Sequence, residues 1–182
     1  MRNNIMRLIQ WAPIAGLCAA IAFIPSANAT DIKQIENVGT KKCLDVPSGN
    51  TADHVKIQQY TCRWSAGDPL RNIQQWELTP IRGHTQFRNV RTGKCLDVPN
   101  LSVDNKVKIQ QYQCRNSSDV LVFAQLWDIN PVGGKLQIRS VASGKCLDIP
   151  SGSTNNHVLV QQYTCRQGSD PWFIKAQAWT IK

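Results

Sequence analysis

The chain has 182 residues, of which 42% are hydrophobic, and both values are typical of one globular domain. Its formal net charge is +9, but the basic residues are scattered and no block of five or more like charges occurs. The net positive charge favours anionic surfaces such as acidic glycans or lipopolysaccharide, with solubility alone as the alternative, and the scattered distribution argues against nucleic acid as the partner.

The first 29 residues have the organisation of a signal peptide. Arg2 and Arg7 lie in a polar start, an apolar run from Leu8 to Ile24 follows, and Ala27-Asn28-Ala29 supplies small residues for cleavage. We expect cleavage after Ala29, which leaves a domain of residues 30–182 in the periplasm or outside the cell.

Two alternatives for this segment are weaker. A membrane anchor needs roughly 20 apolar residues, whereas the apolar run has about 17 and is interrupted by Gln10 and Pro13. Lipid attachment at Cys18 would require a small preceding residue, and Leu17 stands there. No membrane span is therefore expected.

Six cysteines remain after residue 29, an even number that is typical of an exported, disulfide-bonded protein. They form three pairs with a separation of 19 residues, and the pairs recur at intervals of 52 and 51. The simplest threefold arrangement closes one disulfide within each repeat. The predicted pairs are Cys43–Cys62, Cys95–Cys114 and Cys146–Cys165.

The repeats span about 31–82, 83–133 and 134–182, and each is predicted to contain four short strands. In the first repeat these are QIENV, CLDV, VKIQQY and QQWELTPI. The VKIQQY segment alternates with a period of two, so Ile57 and Gln59 share one face while Gln58 and Tyr60 share the other. Twelve strands with threefold repetition predict an all-β fold that closes on itself, because one repeat cannot bury its apolar face alone.

Three phrases recur in each repeat: C-L-D-[VI]-P, then Q-x-Y-x-C, then Q-x-W. From about Ile35 to Lys182 this composite pattern resembles the ricin B-type lectin family. The resemblance implies a β-trefoil and a secreted, non-catalytic carbohydrate-binding module with up to three shallow sites, one per repeat. It implies no cofactor and no metal, and its partners would be glycans or polysaccharides, anionic ones included.

The resemblance also assigns roles to repeated residues. The aspartate would accept hydrogen bonds from sugar hydroxyls, the tyrosine would stack on the sugar ring, and the glutamine would support the polar contacts. The implied carbohydrate-binding residues are Asp45, Gln58, Tyr60, Asp97, Gln110, Tyr112, Asp148, Gln161 and Tyr163. The Q-x-W residues implied to be structural are Gln74, Trp76, Gln125, Trp127, Gln177 and Trp179.

The chemistry of these side chains suits sugars, which present both C–H surface and hydroxyl groups. An aromatic face beside a carboxylate and an amide serves both. Two alternatives remain open: the aspartate could cap the following turn through its side chain, and the tyrosine could pack on the disulfide.

The chain departs from the family pattern immediately before Q-x-W. Sugar-binding repeats of the family usually carry a hydrogen-bonding asparagine there, but this chain has Ile73, Ala124 and Ala176. Asn72 lies one position earlier, where a strand would direct it to the opposite face. The alternative function is therefore a non-catalytic interaction or toxin-delivery subunit with a toxin subunit as partner, as in the cytolethal distending toxins.

The loop between the second cysteine and Q-x-W is long and carries apolar residues in each repeat. Leu70, Val122, Phe123, Trp172 and Phe173 are expected either to pack back on the barrel or to form a contact patch. His54 and His157 share one loop position with Lys106 of the second repeat, which favours a solvated or ligand-rim role over catalysis or metal binding. No phosphate loop or nucleophile motif occurs.

Overall fold

The computed structural model describes residues 31–182. The predicted signal peptide lies outside the described residues. Within 31–182, no helix combines the length and the apolar character that crossing a membrane requires.

The described chain contains twelve β-strands, four in each repeat, which confirms the predicted all-β class. The first repeat has β1 Ile32–Asn37, β2 Lys42–Asp45, β3 Gln58–Thr61 and β4 Gln75–Ile81. The second has β5 His84–Asn89, β6 Cys95–Asp97, β7 Gln110–Tyr112 and β8 Leu126–Val132. The third has β9 Lys135–Ser140, β10 Cys146–Asp148, β11 Gln161–Tyr163 and β12 Trp179–Ile181.

Six of the strands form a closed barrel. Strand β1 pairs with β4 and β12, β5 pairs with β4 and β8, and β9 pairs with β8 and β12, all antiparallel. The ring therefore closes without a free edge between its members, as the threefold repetition predicted.

The other six strands form three hairpins, β2–β3, β6–β7 and β10–β11, each joined to the barrel through its first strand. The strand predicted from Val55 begins only at Gln58. The preceding backbone bonds instead to the next repeat, where Ile57 N donates to Ile109 O at 2.9 Å and Gln111 N donates to Val55 O at 2.9 Å. Val55 and Ile57 therefore pair with the backbone of the second repeat instead of lengthening the β2–β3 hairpin.

The core is built from equivalent residues of all three repeats. Trp76, Trp127 and Trp179 have no exposed surface. Their indole Nε1 atoms donate to the carbonyl oxygens of Leu44, Leu96 and Leu147 at 3.2–3.3 Å. Each tryptophan therefore fills the core and has its one polar atom hydrogen-bonded.

Three disulfides join Cys43 to Cys62, Cys95 to Cys114 and Cys146 to Cys165, which confirms one bridge per repeat. Each bridge ties the start of a hairpin's first strand to the end of its second. A short helix then leads from the second cysteine's loop to Q-x-W. These helices are Arg71–Gln74, Val120–Gln125 and Phe173–Gln177, the last with π-type geometry.

The middle glutamine of each QQY sequence fastens adjacent repeats together. The Nε2 atom of Gln111 donates to the carbonyl oxygens of Asn50 and Ala52, both at 2.7 Å, and its Oε1 accepts from the Thr92 hydroxyl at 2.9 Å. Gln59 and Gln162 make the equivalent contacts, and all three side chains are fully buried. Loops of one repeat are thereby fixed on the hairpin of the next.

Candidate functional site

Each predicted site aspartate is held between two glutamine amides. Oδ1 of Asp45 accepts from Gln58 Nε2 at 2.7 Å, and Oδ2 accepts from Gln74 Nε2 at 3.0 Å. The same arrangement surrounds Asp97, with Gln110 and Gln125, and Asp148, with Gln161 and Gln177, at 2.8–3.3 Å. The carboxylate therefore bonds to side chains rather than capping the turn, and each oxygen keeps acceptor capacity for a ligand.

Burial sets the charge state of these carboxyl groups. Asp45, Asp97 and Asp148 are 2–4% exposed. Loss of solvent raises the pKa of all three above the ordinary value of 3.8, and the hydrogen bonds from the glutamine amides and the nearby arginine charge partly offset that rise. Each of these carboxyl groups therefore takes up its proton at a higher pH than an ordinary aspartate does.

The Q-x-W glutamine connects the site aspartate to the backbone around the end of the third strand of the repeat. Besides Asp45, Gln74 Nε2 donates to Thr61 O at 3.0 Å, while its Oε1 accepts from Arg63 N at 2.8 Å. Gln125 and Gln177 repeat these bonds. The amide nitrogen and the amide oxygen of this glutamine are therefore both engaged within the protein.

An arginine that follows the second cysteine lies against each predicted tyrosine. The guanidinium carbons of Arg63, Arg115 and Arg166 stand 5.2–5.6 Å from the ring centres of Tyr60, Tyr112 and Tyr163. Each guanidinium also pairs with the loop aspartate, Asp68, Asp119 or Asp170, at 2.8–3.2 Å. The arginine thus orients the half-buried ring beside the carboxylate.

A surface cavity surrounds each set. The first is lined by Asp45, Gln58, Tyr60 and Arg63, the second by Asp97, Gln110, Tyr112 and Arg115, and the third by Asp148, Gln161, Tyr163 and Arg166. We call them the first, second and third pockets. The structure brings all nine predicted carbohydrate-binding residues to these three places, three to a pocket.

The pockets differ in size. The second and third have volumes of about 330 Å³, and the first about 170 Å³. Ile73 lines the first pocket where Ala124 lines the second, so the larger side chain narrows the space. The carbonyl oxygens of Ile73 and Ala124 accept hydrogen bonds from Val46 N and Val98 N respectively.

The sequence-based placement of Asn72 on a strand was wrong, because the residue lies in the 3-10 helix Arg71–Gln74. The apolar loop residues divide between the two alternatives proposed for them. Val122 and Phe173 are fully buried and pack, whereas Leu70 and Trp172 are 42% and 44% exposed and line the first and third pockets.

The pocket arginines were missed from the sequence, although C-R recurs at all three second cysteines. The shared loop position of His54, Lys106 and His157 was recognised, but not the pocket that each side chain enters. His157 lines the first pocket, His54 the second and Lys106 the third. Each pocket is therefore built from two repeats. Among residues 31–182, no group of three metal-ligating side chains converges.

A closed barrel with three capping hairpins and one pocket per repeat defines a threefold β-trefoil with repeated surface sites. The family model described as "Ricin-type beta-trefoil lectin domain" matches residues 31–179. The chain belongs to this family, which confirms the resemblance found in its sequence.

Solved structures give the same fold. The designed threefold-symmetric protein ThreeFoil is 27% identical, with a TM-score of 0.69, over 82% of this chain and 96% of that one. The Rhizoctonia solani agglutinin is 19% identical, with a TM-score of 0.66, over 86% and 97%. The Haemophilus ducreyi cytolethal distending toxin is 21% identical, with a TM-score of 0.62, over 82% and 81%. No curated protein sequence matches this chain.

Proposed function

We propose that this protein is an exported, non-catalytic lectin that binds glycans through its three pockets. The observation that carries the proposal is the threefold assembly of a tyrosine face beside a glutamine-held carboxylate in an open cavity. A sugar ring would lie on the tyrosine while its hydroxyls donate to the aspartate. Membership of a lectin family supports this use of the site.

Export is supported by the three disulfides, which form and persist in oxidising compartments. In the proposal the pockets act together, because several weak sites on one protein gain apparent affinity for a repeating glycan without any new contact. The second and third pockets would contribute most, since Ile73 narrows the first.

Glycan-array binding of residues 30–182 tests the proposal. The matched variant carries Tyr60→Ala, Tyr112→Ala and Tyr163→Ala, which removes the three ring faces and leaves the glutamine-aspartate network in place. We expect defined glycans to be retained by the parent and lost by the variant. Absence of glycan binding by the parent, or equal binding by both, would refute the proposal.

A second candidate is a protein-interaction or toxin-delivery subunit on the same scaffold. Exposed Leu70, Leu121 and Trp172 favour it, since each places apolar surface at a pocket rim where the family's usual asparagine is replaced. Co-purification of a second exported chain from the native source, with no glycan bound on the array, would support this candidate over the first.

A further inference from the structure

In each pocket, the residues from the pocket's own repeat are equivalent to those of the other two pockets. The residues that the neighbouring repeat contributes differ. One contribution is a side chain on a loop with left-handed backbone, at His54 (φ 66°), Lys106 (φ 68°) and His157 (φ 65°). The backbone N–H of each donates to the next repeat's buried glutamine carbonyl, Gln111, Gln162 or Gln59, at 2.8–3.0 Å. The loop position is therefore the same in all three, and only the side chain changes.

A second contribution comes from two residues further along. Lys56 Nζ donates to Gln110 Oε1 at 2.8 Å in the second pocket, and Lys108 Nζ donates to Gln161 Oε1 at 2.9 Å in the third. The equivalent residue beside Gln58 of the first pocket is Leu159. Here Nδ1 of His157 lies 3.2 Å from Gln58 Oε1 instead.

These substitutions give the pockets different charges. Each contains one aspartate and one arginine–aspartate pair, which is neutral as a unit. Counted over the aspartate, arginine and lysine side chains alone, the first pocket gains no lysine and has one net negative charge. The second gains Lys56 and is neutral, and the third gains Lys106 and Lys108 and carries one net positive charge. Over such short distances, salt screens these fields only in part.

The ammonium group of Lys106 is available for a ligand. Lys106 is exposed and lines the third pocket, and among residues 31–182 its Nζ makes no ion pair or hydrogen bond. Trp172 stands in the third pocket where the others have leucine, and Lys175 Nζ lies 4.8 Å from the centre of its ring. The third pocket thus combines a second aromatic wall with excess positive charge.

We propose that the third pocket prefers sugars that carry a carboxylate, with Lys106 as the residue that sets this preference. The inference rests on the proposed lectin function and assigns a ligand class to one of its sites. The sugar ring would contact Tyr163 and Trp172, its hydroxyls would donate to Asp148, and its carboxylate would meet Lys106. Uronic acids and sialic acids are both sugars that carry a carboxylate beside hydroxyl groups.

Isothermal titration with matched charged and neutral ligands tests this inference. The third pocket is isolated in a protein carrying Tyr60→Ala and Tyr112→Ala. The pairs are an oligogalacturonide against its methyl ester, and 3′-sialyllactose against lactose, so that the two sources of carboxylate are separated. We expect at least one carboxylated ligand to bind about three- to fivefold more tightly than its neutral partner, and the advantage to shrink as salt is raised.

The control variants show whether the preference for a carboxylate comes from Lys106 itself or from the net charge of the whole protein. Lys106→Ala should abolish the advantage, while Lys135→Ala, which removes an exposed lysine that lines none of the three pockets, should keep it. In a protein with only the second pocket intact, His54→Lys should create the advantage, because that position already has the required backbone.

Two negative results have different meanings. Equal affinity for charged and neutral partners, with binding that Tyr163→Ala abolishes, would overturn the charge preference and leave the lectin function standing. An advantage that survives Lys106→Ala would also overturn the assignment to Lys106. No binding of any glycan by the parent protein would overturn the lectin function and this inference with it.

Discussion

Nζ of Lys56, in the first repeat, donates a hydrogen bond of 2.8 Å to Oε1 of Gln110, in the second. Gln110 in turn donates through Nε2 to Asp97 at 2.8 Å. A side chain that donates to the Asp97 carboxylate is therefore held by a residue of another repeat. Since the third repeat receives the same bond from Lys108, the pockets are products of the assembled trefoil rather than of isolated repeats.

The tyrosine ring is expected to provide the stacking surface of each pocket. In a protein with Tyr60→Ala and Tyr163→Ala, Tyr112→Ala should lower affinity for a bound glycan by about tenfold or more, because the apolar face of the sugar loses its platform. Tyr112→Phe is the control and should retain most of the affinity. Titration calorimetry measures both, and a loss of equal size in the phenylalanine variant would contradict stacking.

The Q-x-W glutamine is expected to act on stability. Gln74→Ala leaves the buried Asp45 with one fewer donor and leaves Thr61 O and Arg63 N without their partner. We expect a loss of about 3 kcal/mol in the free energy of unfolding. Urea denaturation measures this, with Gln113→Ala at an exposed position as the control, for which the change should stay below about 0.5 kcal/mol. Similar values for the two variants would refute the bracing role.

Glycan binding should depend on pH because an ionised carboxyl group accepts hydrogen bonds from sugar hydroxyls more strongly than a protonated one. Burial raises the pKa of Asp45, Asp97 and Asp148, so these groups take up protons, and binding falls, at pH values still above 3.8. Their native state holds the proton more tightly than the unfolded state, so this protonation does not reduce stability. Titration calorimetry between neutral pH and pH 4 measures the loss of binding.

As pH is lowered, we expect the native fold to persist to a lower pH than glycan binding does. The pKa values of Asp53, Asp68 and Asp119 are lowered, mainly by hydrogen bonds to Lys94, Leu70 N and Arg115 respectively. The stability these groups contribute is present above their unfolded pKa and is lost only as pH falls through their lower folded values. Circular dichroism should therefore remain native where binding is already weakened. Simultaneous loss of both signals would contradict this order.

Each disulfide should stabilise its own repeat. The bridge between Cys95 and Cys114 closes a loop with a sequence separation of 19 residues. Replacement of both by alanine should lower the free energy of unfolding by about 3 kcal/mol, mainly because the unfolded chain regains freedom. Denaturant unfolding measures the change, and peptide mapping of the unreduced protein checks the pairing. A link from Cys95 to any residue other than Cys114 would contradict the structure.

Much of the fold could be predicted because its determinants are local and repeated three times. The spacing of Cys43 and Cys62 recurs in each repeat and identifies the bridge, and the position of Trp76 recurs with a period near 51 residues. Alternation in the VKIQQY segment predicted that Ile57 and Gln59 share one face, and both side chains are fully buried. The β-trefoil class and the lectin family followed from the same repeated phrases.

The site was predicted only in part. Asp97, Gln110 and Tyr112 were assigned together because they recur in register, and the fold brings them to one cavity. Arg115 is equally regular, but its recurrence after the cysteine does not by itself indicate that the guanidinium packs on the ring of Tyr112. Helical geometry around Asn72 was missed because the helix is a single turn, too short for a periodic signal.

The sequence by itself determined the strands, the bridges and the own-repeat members of each pocket, since these depend on residues close together along the chain. Only the tertiary structure decided which neighbour completes each pocket. Lys106 and Tyr163 are far apart in sequence and meet because closure of the barrel sets the second repeat's loop on the third repeat's hairpin. Contacts that form because the barrel closes join residues of different repeats, and no short-range sequence pattern indicates them.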